Sequence, residues 1–106
     1  MGDRLKYEFT EDASNPRVEI YQVDERGEPI GEGSIGHLTW KSYTSPPQIA
    51  MIYLNPEWRG RWIARELLRY TVENHCHDLE HDPKVFEEGP NHLGKKFANA
   101  NPLPLP

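Results

Sequence analysis

The sequence predicts an α+β domain in which a single mixed β-sheet is flanked by helices. Two segments in the N-terminal half alternate apolar and polar residues, as strands do when one face is buried. A continuous apolar run follows at Gln48–Leu54, and a one-sided apolar stripe with helical spacing then begins at Ala64. The 106 residues suit one domain, 1–106, and leave no room for two.

The N-terminal half predicts a meander of antiparallel strands. Residues 1–16 are a polar segment that contains a short first strand at Tyr7–Phe9. Arg17–Asp24 alternates and forms the second strand, a turn closes at Gly27, and the third strand spans 29–40. Glycines within this third segment indicate a β-bulge or the close approach of another backbone, namely Gly31, Gly33 and Gly36.

The middle of the chain predicts a buried strand and the most regular helix. Gln48–Leu54 is apolar on both faces, which is typical of a central strand covered on each side rather than an edge strand. The helix that follows should end within 75–79. Its apolar stripe has the three- and four-residue spacing of one helix face and comprises Ala64, Leu67, Leu68, Thr71, Val72 and His75.

The C-terminal part adds a strand and a short helix. Pro83 opens a strand at Lys84–Phe86, and His92–Ala100 forms a helix whose inward residues are Leu93, Phe97 and Ala98. Residues 101–106 form an extended, loose, proline-rich tail with polyproline II character. The element order is therefore an antiparallel meander followed by strand–helix–strand–helix, which gives the sheet its mixed character.

The composition excludes several classes of function. A formal net charge of −5 argues against a general nucleic-acid binder and against a membrane-surface binder. The only cysteine is Cys76, so the chain forms no disulfide within itself, which is typical of a reducing compartment. The chain has no apolar run that could cross a bilayer and starts without the apolar core of a signal peptide. We therefore expect a cytoplasmic protein.

The stretch 52–68 predicts a binding site for an anion. An apolar strand ends at Leu54, a short basic loop with one glycine follows, and the helix begins at once. The first backbone N–H groups of a helix have no partner within the helix, and they lie at the positive end of its dipole. Such a strand–loop–helix suits an anionic ligand, most often a phosphate. The arginines at 59–69 add positive charge to the same region.

The loop 59–64 resembles the acyl-coenzyme A loop of the GNAT N-acetyltransferases. That signature has Arg or Gln, two free positions, Gly, one free position, and then Gly or Ala. Arg59 and Ala64 match it, whereas Trp62 stands where the family has glycine. The resemblance extends over most of 17–100 and is to small bacterial and phage members.

The resemblance implies an activity and a cofactor. A GNAT-like protein would use acetyl-CoA to acetylate an unidentified amine or protein acceptor, and a homodimer is a further expected assembly. The strand end would line the pantetheine arm and the loop amides would bind the pyrophosphate. The implied coenzyme-binding residues are Ile52, Tyr53, Leu54, Arg59, Gly60, Arg61, Trp62, Ile63 and Ala64.

The catalytic residues, and the enzymatic activity itself, remain open at this point. Gln48–Leu54 has no carboxylate, and Glu57, His37 and Tyr53 are each weak candidates for acid or base, so no catalytic residue is assigned. The chain could instead be an inactive GNAT-like module that acts through a protein partner. It would meet that partner through an exposed surface of aromatic and arginine side chains. The loop could also bind no phosphate at all, with Asn55 capping a helix and Trp58 and Trp62 packing on the sheet.

The segment 75–82 is rich in residues that ligate metals. On a continuing helix His77 and His81 would share a face, a spacing that zinc accepts. Cys76 would point elsewhere, and no base is placed beside it for nucleophilic chemistry. Histidines near a helix C-terminus also interact favourably with the helix dipole, and this reading, without a metal site, is the one we expect. A small metal-binding protein built on the histidine cluster is the remaining hypothesis.

Overall fold

The computed structural model describes residues 4–11, 15–31, 33–60, 62–87, 89 and 93–105. It confirms the α+β class. The strands are β1 (Arg4–Thr10), β2 (Arg17–Val23), β3 (Gly36–Lys41) and β4 (Gln48–Leu54), and the helices are α1 (Ile63–Asn74) and α2 (Leu93–Ala100). Two 3-10 turns, Pro56–Trp58 and Pro83–Glu87, lie between these elements. None of the helices in the described part of the chain is long and apolar enough to span a bilayer.

The sheet is antiparallel, with the strand order β1-β2-β3-β4. The prediction of a mixed sheet is therefore wrong, and so is the prediction that Gln48–Leu54 is a central strand. β4 is an edge strand, and its Met51 and Tyr53 side chains are exposed. From the sequence, a parallel strand is expected beside β4. Among the described residues, one isolated parallel bridge, from Gln48 to Glu80, lies at that position.

The core lies between the sheet and α1. The alternation in β2 and β3 buries Val18, Ile20 and Leu38 completely, because every second side chain of a strand points to the same face. From α1, Leu67 and Leu68 enter the same apolar cluster and are also fully buried. The predicted helix stripe is confirmed, although the helix ends at Asn74 and not beyond His75.

β1 is longer than predicted and is held by ring stacking. The strand covers Arg4–Thr10 and pairs with the whole of β2. Tyr7 stacks on Tyr70 of α1 with ring centroids 4.3 Å apart, and Phe9 stacks on His75 at 4.2 Å. These contacts fix the outer strand against the end of α1.

The third strand begins later than predicted. The described residues between Val23 and Gly36 form no named strand, and Gly31 and Gly33 among them adopt positive φ angles that a regular strand does not contain. Gly36 then opens β3 at a close approach: a Cβ atom there would lie 2.6 Å from the Tyr53 carbonyl oxygen. The expected close backbone approach is therefore confirmed at this glycine.

The C-terminal segment differs from prediction in three places. Lys84–Phe86 is part of a 3-10 turn and not a strand, because the Asp82 carboxylate accepts the Lys84 N–H at 3.0 Å and starts a turn. In α2, Ala98 is buried and Phe97 half-buried as expected, but Leu93 is 64% exposed. His92 lies outside the described residues. The tail is neither extended nor loose, since it bends and its two leucines, Leu103 and Leu105, pack against the core.

Candidate functional site

A cleft with a volume of about 910 Å³ opens along the free edge of β4. Its walls are β4, the loop and first turn of α1, the segment 81–85 and the start of α2. Among the described residues, the chain returning from α1 meets β4 at one end, where the Ile49 N–H donates to the Glu80 carbonyl at 2.9 Å. The segment then turns away into its 3-10 turn, and the divergence of the two backbones creates the cleft.

The loop that follows β4 is fixed by its own backbone. The Trp58 N–H donates to the Asn55 carbonyl at 2.9 Å, and the buried Trp58 side chain anchors the turn in the core. Asn55 precedes the turn without a side-chain capping bond. The Arg59 guanidinium donates from Nε to the Leu54 carbonyl at 2.8 Å and lies over the Tyr53 ring. Arg59 is thereby held beside the strand end.

The start of α1 offers the cleft backbone donors that have no acceptor in the described part of the chain. The first hydrogen bond within the helix runs from the Glu66 N–H to the Trp62 carbonyl at 3.1 Å. The N–H groups of Trp62, Ile63 and Ala64 find no acceptor among the residues that the structure describes. Each of these three residues lines the cleft. Arg61, which is also an expected coenzyme-binding residue, lies outside the described part of the chain.

Trp62 has an unusual backbone conformation for its residue type. Its φ of 65° and ψ of 6° are left-handed, a region that L-residues with a side chain rarely adopt and glycine enters freely. The indole is 73% exposed, so the alternative in which Trp62 packs on the sheet beside Trp58 is wrong. The Arg65 guanidinium lies 5.9 Å from the indole ring centre. Trp62 therefore keeps the backbone shape of a glycine position while its side chain points outward.

The charges at the cleft are mostly positive. Arg59, Arg65 and Lys84 line it, and the Nε atom of Arg65 is buried without a hydrogen-bond partner in the described chain. Asp82 is the acidic lining residue in the described part, and its carboxylate accepts a bond from the Lys41 ammonium at 3.0 Å. The Lys84 N–H and the Lys41 ammonium lower the pKa of Asp82, which stays ionised at neutral pH.

The candidate acid and base residues are dispersed. Tyr53 lines the cleft, and His37 pairs with it across the sheet with ring centroids 5.7 Å apart. Glu57 is exposed in the 3-10 turn after β4. His37 and Glu57 are not part of the cleft wall. The structure therefore does not assemble these three side chains into one site.

The histidine-rich segment forms no metal centre in the described residues. Because α1 ends at Asn74, His77 and His81 do not lie on a common helix face. The described part of the chain holds no group of three or more metal-ligating side chains. Burial and the neighbouring Asp78 carboxylate raise the pKa of Cys76 to about 11, so its thiol is protonated and unreactive at neutral pH.

Sequence reasoning missed His81 as a cleft residue. His81 lines the cleft, and its Nε2 atom lies 2.7 Å from the Asn101 carbonyl oxygen. Asn101 is 20 residues away, and no periodicity or motif links the two positions. The sequence shows a histidine directly before the Asp-Pro at which the chain turns. This pattern alone does not show which residues surround the imidazole ring.

Comparisons with protein-family models, with curated proteins and with solved structures found no match for this chain.

Proposed function

We propose that the cleft binds an acyl-CoA thioester and that the protein transfers the acyl group to an amine. The observation that carries this proposal is the divergence of β4 from the segment after Glu80, with the unpaired start of α1 beside the open side. A kinship with the GNAT family is part of the proposal and is supported by the loop sequence Arg59–Ala64 and by this geometry.

The start of α1 suits the anionic end of the coenzyme. Three backbone N–H groups, those of Trp62, Ile63 and Ala64, lie at the positive end of a helix of 12 residues and have no acceptor within the described chain. Arg65 adds a guanidinium whose buried Nε has no acceptor within the described residues. A diphosphate would supply oxygen acceptors to all of these donors.

The open edge of β4 suits the long amide-containing arm. An edge strand presents backbone N–H and C=O groups that can pair with the amides of an extended ligand. Ile52 and Phe97 contribute apolar wall on either side. A volume of about 910 Å³ lies within the range of small-molecule and cofactor sites.

The transfer would occur by direct attack of the amine on the thioester. The described lining residues include no cysteine, serine or threonine, so a covalent acyl-enzyme has no evident nucleophile there. The protein would accelerate the reaction by positioning the reactants and by neutralising charge.

Thermal denaturation with and without acetyl-CoA tests the proposal. Acetyl-CoA at 100 times its Kd should stabilise the fold by about 2.7 kcal/mol, which raises the Tm by several degrees. Arg65→Gln should weaken this binding about tenfold, because it removes a charged donor at the cleft. Arg69→Gln is the matched control, since Arg69 lies one turn further along α1 and outside the cleft. An unchanged Tm at millimolar acetyl-CoA would contradict the proposal.

A specific observation also favours a second candidate, a protein-binding module. Four large apolar side chains of the cleft wall are exposed, namely Met51, Tyr53, Trp62 and Leu93. A second copy of the chain that covered them would give a dimer in solution, which Met51→Lys should dissociate. A dimer of this kind, with no response to acetyl-CoA, would favour the module over the enzyme.

A further inference from the structure

His81 occupies the end of the cleft where the two backbones meet. It directly follows Glu80, whose backbone forms the bridge to β4, and it lines the cleft wall. The anion-binding start of α1 borders the same cleft. A ligand whose anionic part lies at α1 and whose chain follows β4 toward the bridge would approach this histidine.

The hydrogen bond of His81 fixes its tautomer. The Asn101 carbonyl oxygen can only accept, so at 2.7 Å the His81 Nε2 must carry the hydrogen and donate it. In the neutral ring the proton-accepting lone pair is then on Nδ1. No described residue forms a hydrogen bond with this Nδ1 atom.

The surroundings of His81 hold the ring in place. Phe86 and Phe97 approach it edge-on, with ring centroids 6.1 and 6.3 Å away. Asn101 is itself buried, and both its backbone N–H and its side-chain amide donate to the Phe97 carbonyl. The carbonyl that orients the imidazole therefore belongs to a fixed end of α2. A ring oriented in this way is the arrangement that general-base histidines use.

We infer that His81 is the base of the acyl transfer, an inference that rests on the proposed function. The amine nitrogen would bond to the thioester carbonyl carbon and pass its proton to His81 Nδ1. The carbon–sulfur bond would then break, and the imidazolium would return the proton to the departing thiolate. The products are the amide and the free coenzyme thiol, with a neutral His81. Asp82 does not compete for this role, because its carboxylate is engaged by Lys41.

The test is thiol release from acetyl-CoA with ethylamine, lysine and spermidine as probe amines. His81→Gln should lower kcat/KM about 100-fold. Glutamine can still donate to the Asn101 carbonyl, so the acetyl-CoA Tm shift should remain. His77→Gln is the matched control, since His77 is exposed and outside the cleft, and it should keep the wild-type rate.

The tautomer of His81 can be measured on the wild-type protein, so the inference can be tested even if the His81→Gln variant does not fold. Nitrogen-15 spectra of labelled histidine should show His81 protonated on Nε2, with the Nδ1 signal changing when acetyl-CoA is added. An Nδ1–H tautomer, or equal rates in wild type and His81→Gln, would overturn the inference. A Tm shift without thiol release from any probe would also overturn it, while the binding proposal would stand. A chain that acetyl-CoA does not stabilise would overturn both.

Discussion

The centre of this sheet, at β2 and β3, is built differently from its edge at β4. We call the first the core side and the second the cleft side. On the β2–β3 side, Val18, Ile20 and Leu38 are completely buried against Leu67 and Leu68 of α1. On the β4 side, the edge strand meets the returning chain at one bridge and exposes apolar side chains to a cleft. Close packing on one side supplies the rigidity that lets the other side keep backbone donors and apolar surface uncovered.

The difference shows where a small domain can place a binding site. Unpaired backbone groups and exposed apolar surface are costly unless something covers them, so they are informative when they gather in one place. In the part of the chain that the structure describes, N–H groups of α1 without an acceptor, the edge of β4 and four exposed apolar side chains border the same cleft. On the core side the large apolar side chains Val18, Ile20 and Leu38 are instead fully buried.

The largest expected effect is on the free energy of unfolding, when a leucine is replaced by alanine on the core side and on the cleft side. Leu67→Ala should lower the free energy of unfolding by about 3 kcal/mol, because a fully buried leucine leaves a cavity. Leu93→Ala should change it by less than about 0.5 kcal/mol, because Leu93 is 64% exposed at the cleft. Urea denaturation of both variants measures this. Similar losses in the two variants would show that the cleft side is packed as tightly as the core.

Prediction from the sequence succeeds where one pattern has one structural cause. The apolar positions of α1 recur with helical spacing, and the alternation at 17–23 leaves one face for the core, so both elements are found nearly as predicted. The apolar run of β4 led to the wrong prediction of a central strand, because apolar residues that border a cleft cannot be distinguished in sequence from buried ones. Met51 and Tyr53 resemble core residues in sequence and lie at the surface.

The remaining features of the site depend on contacts between distant residues. The turn at Pro83–Glu87 replaces a strand because Asp82 accepts the Lys84 N–H, a local bond that competes with strand pairing. The orientation of His81 depends on the Asn101 carbonyl, which only the folded chain brings near. The sequence thus indicates the loop for which anion binding is proposed, whereas the far end of the cleft depends on tertiary structure.

A second, smaller effect is expected on stability at Trp62, where the loop after β4 meets α1. Trp62→Gly should be more stable than Trp62→Ala by about 1 kcal/mol, because both remove the indole and only glycine relieves the left-handed backbone. Glu66 is the control, since it is exposed within α1. There the order should invert, with glycine about 1 kcal/mol worse than alanine. Thermal denaturation of the four variants measures both differences, and equal signs at the two positions would disprove the backbone strain.

The smallest expected effect concerns His75, where β1 joins the packed side. Burial lowers the pKa of His75 below its ordinary 6.5, and Phe9 covers one face of the ring at a centroid distance of 4.2 Å. The His75 Nε2 atom is also buried without a partner in the described chain. The unfolded chain therefore takes up a proton at this site more readily than the folded chain does.

The sign of the pH dependence follows from this difference. The His75 contribution to stability is complete above pH 6.5, declines as the pH falls below that value, and stops changing once the folded-state pKa is passed. Urea denaturation between pH 7.5 and pH 5 should show a steeper loss for the wild type than for His75→Gln. His77→Gln should keep the wild-type slope, because His77 is exposed. Matching slopes in the wild type and His75→Gln would mean that folding does not lower the pKa of His75.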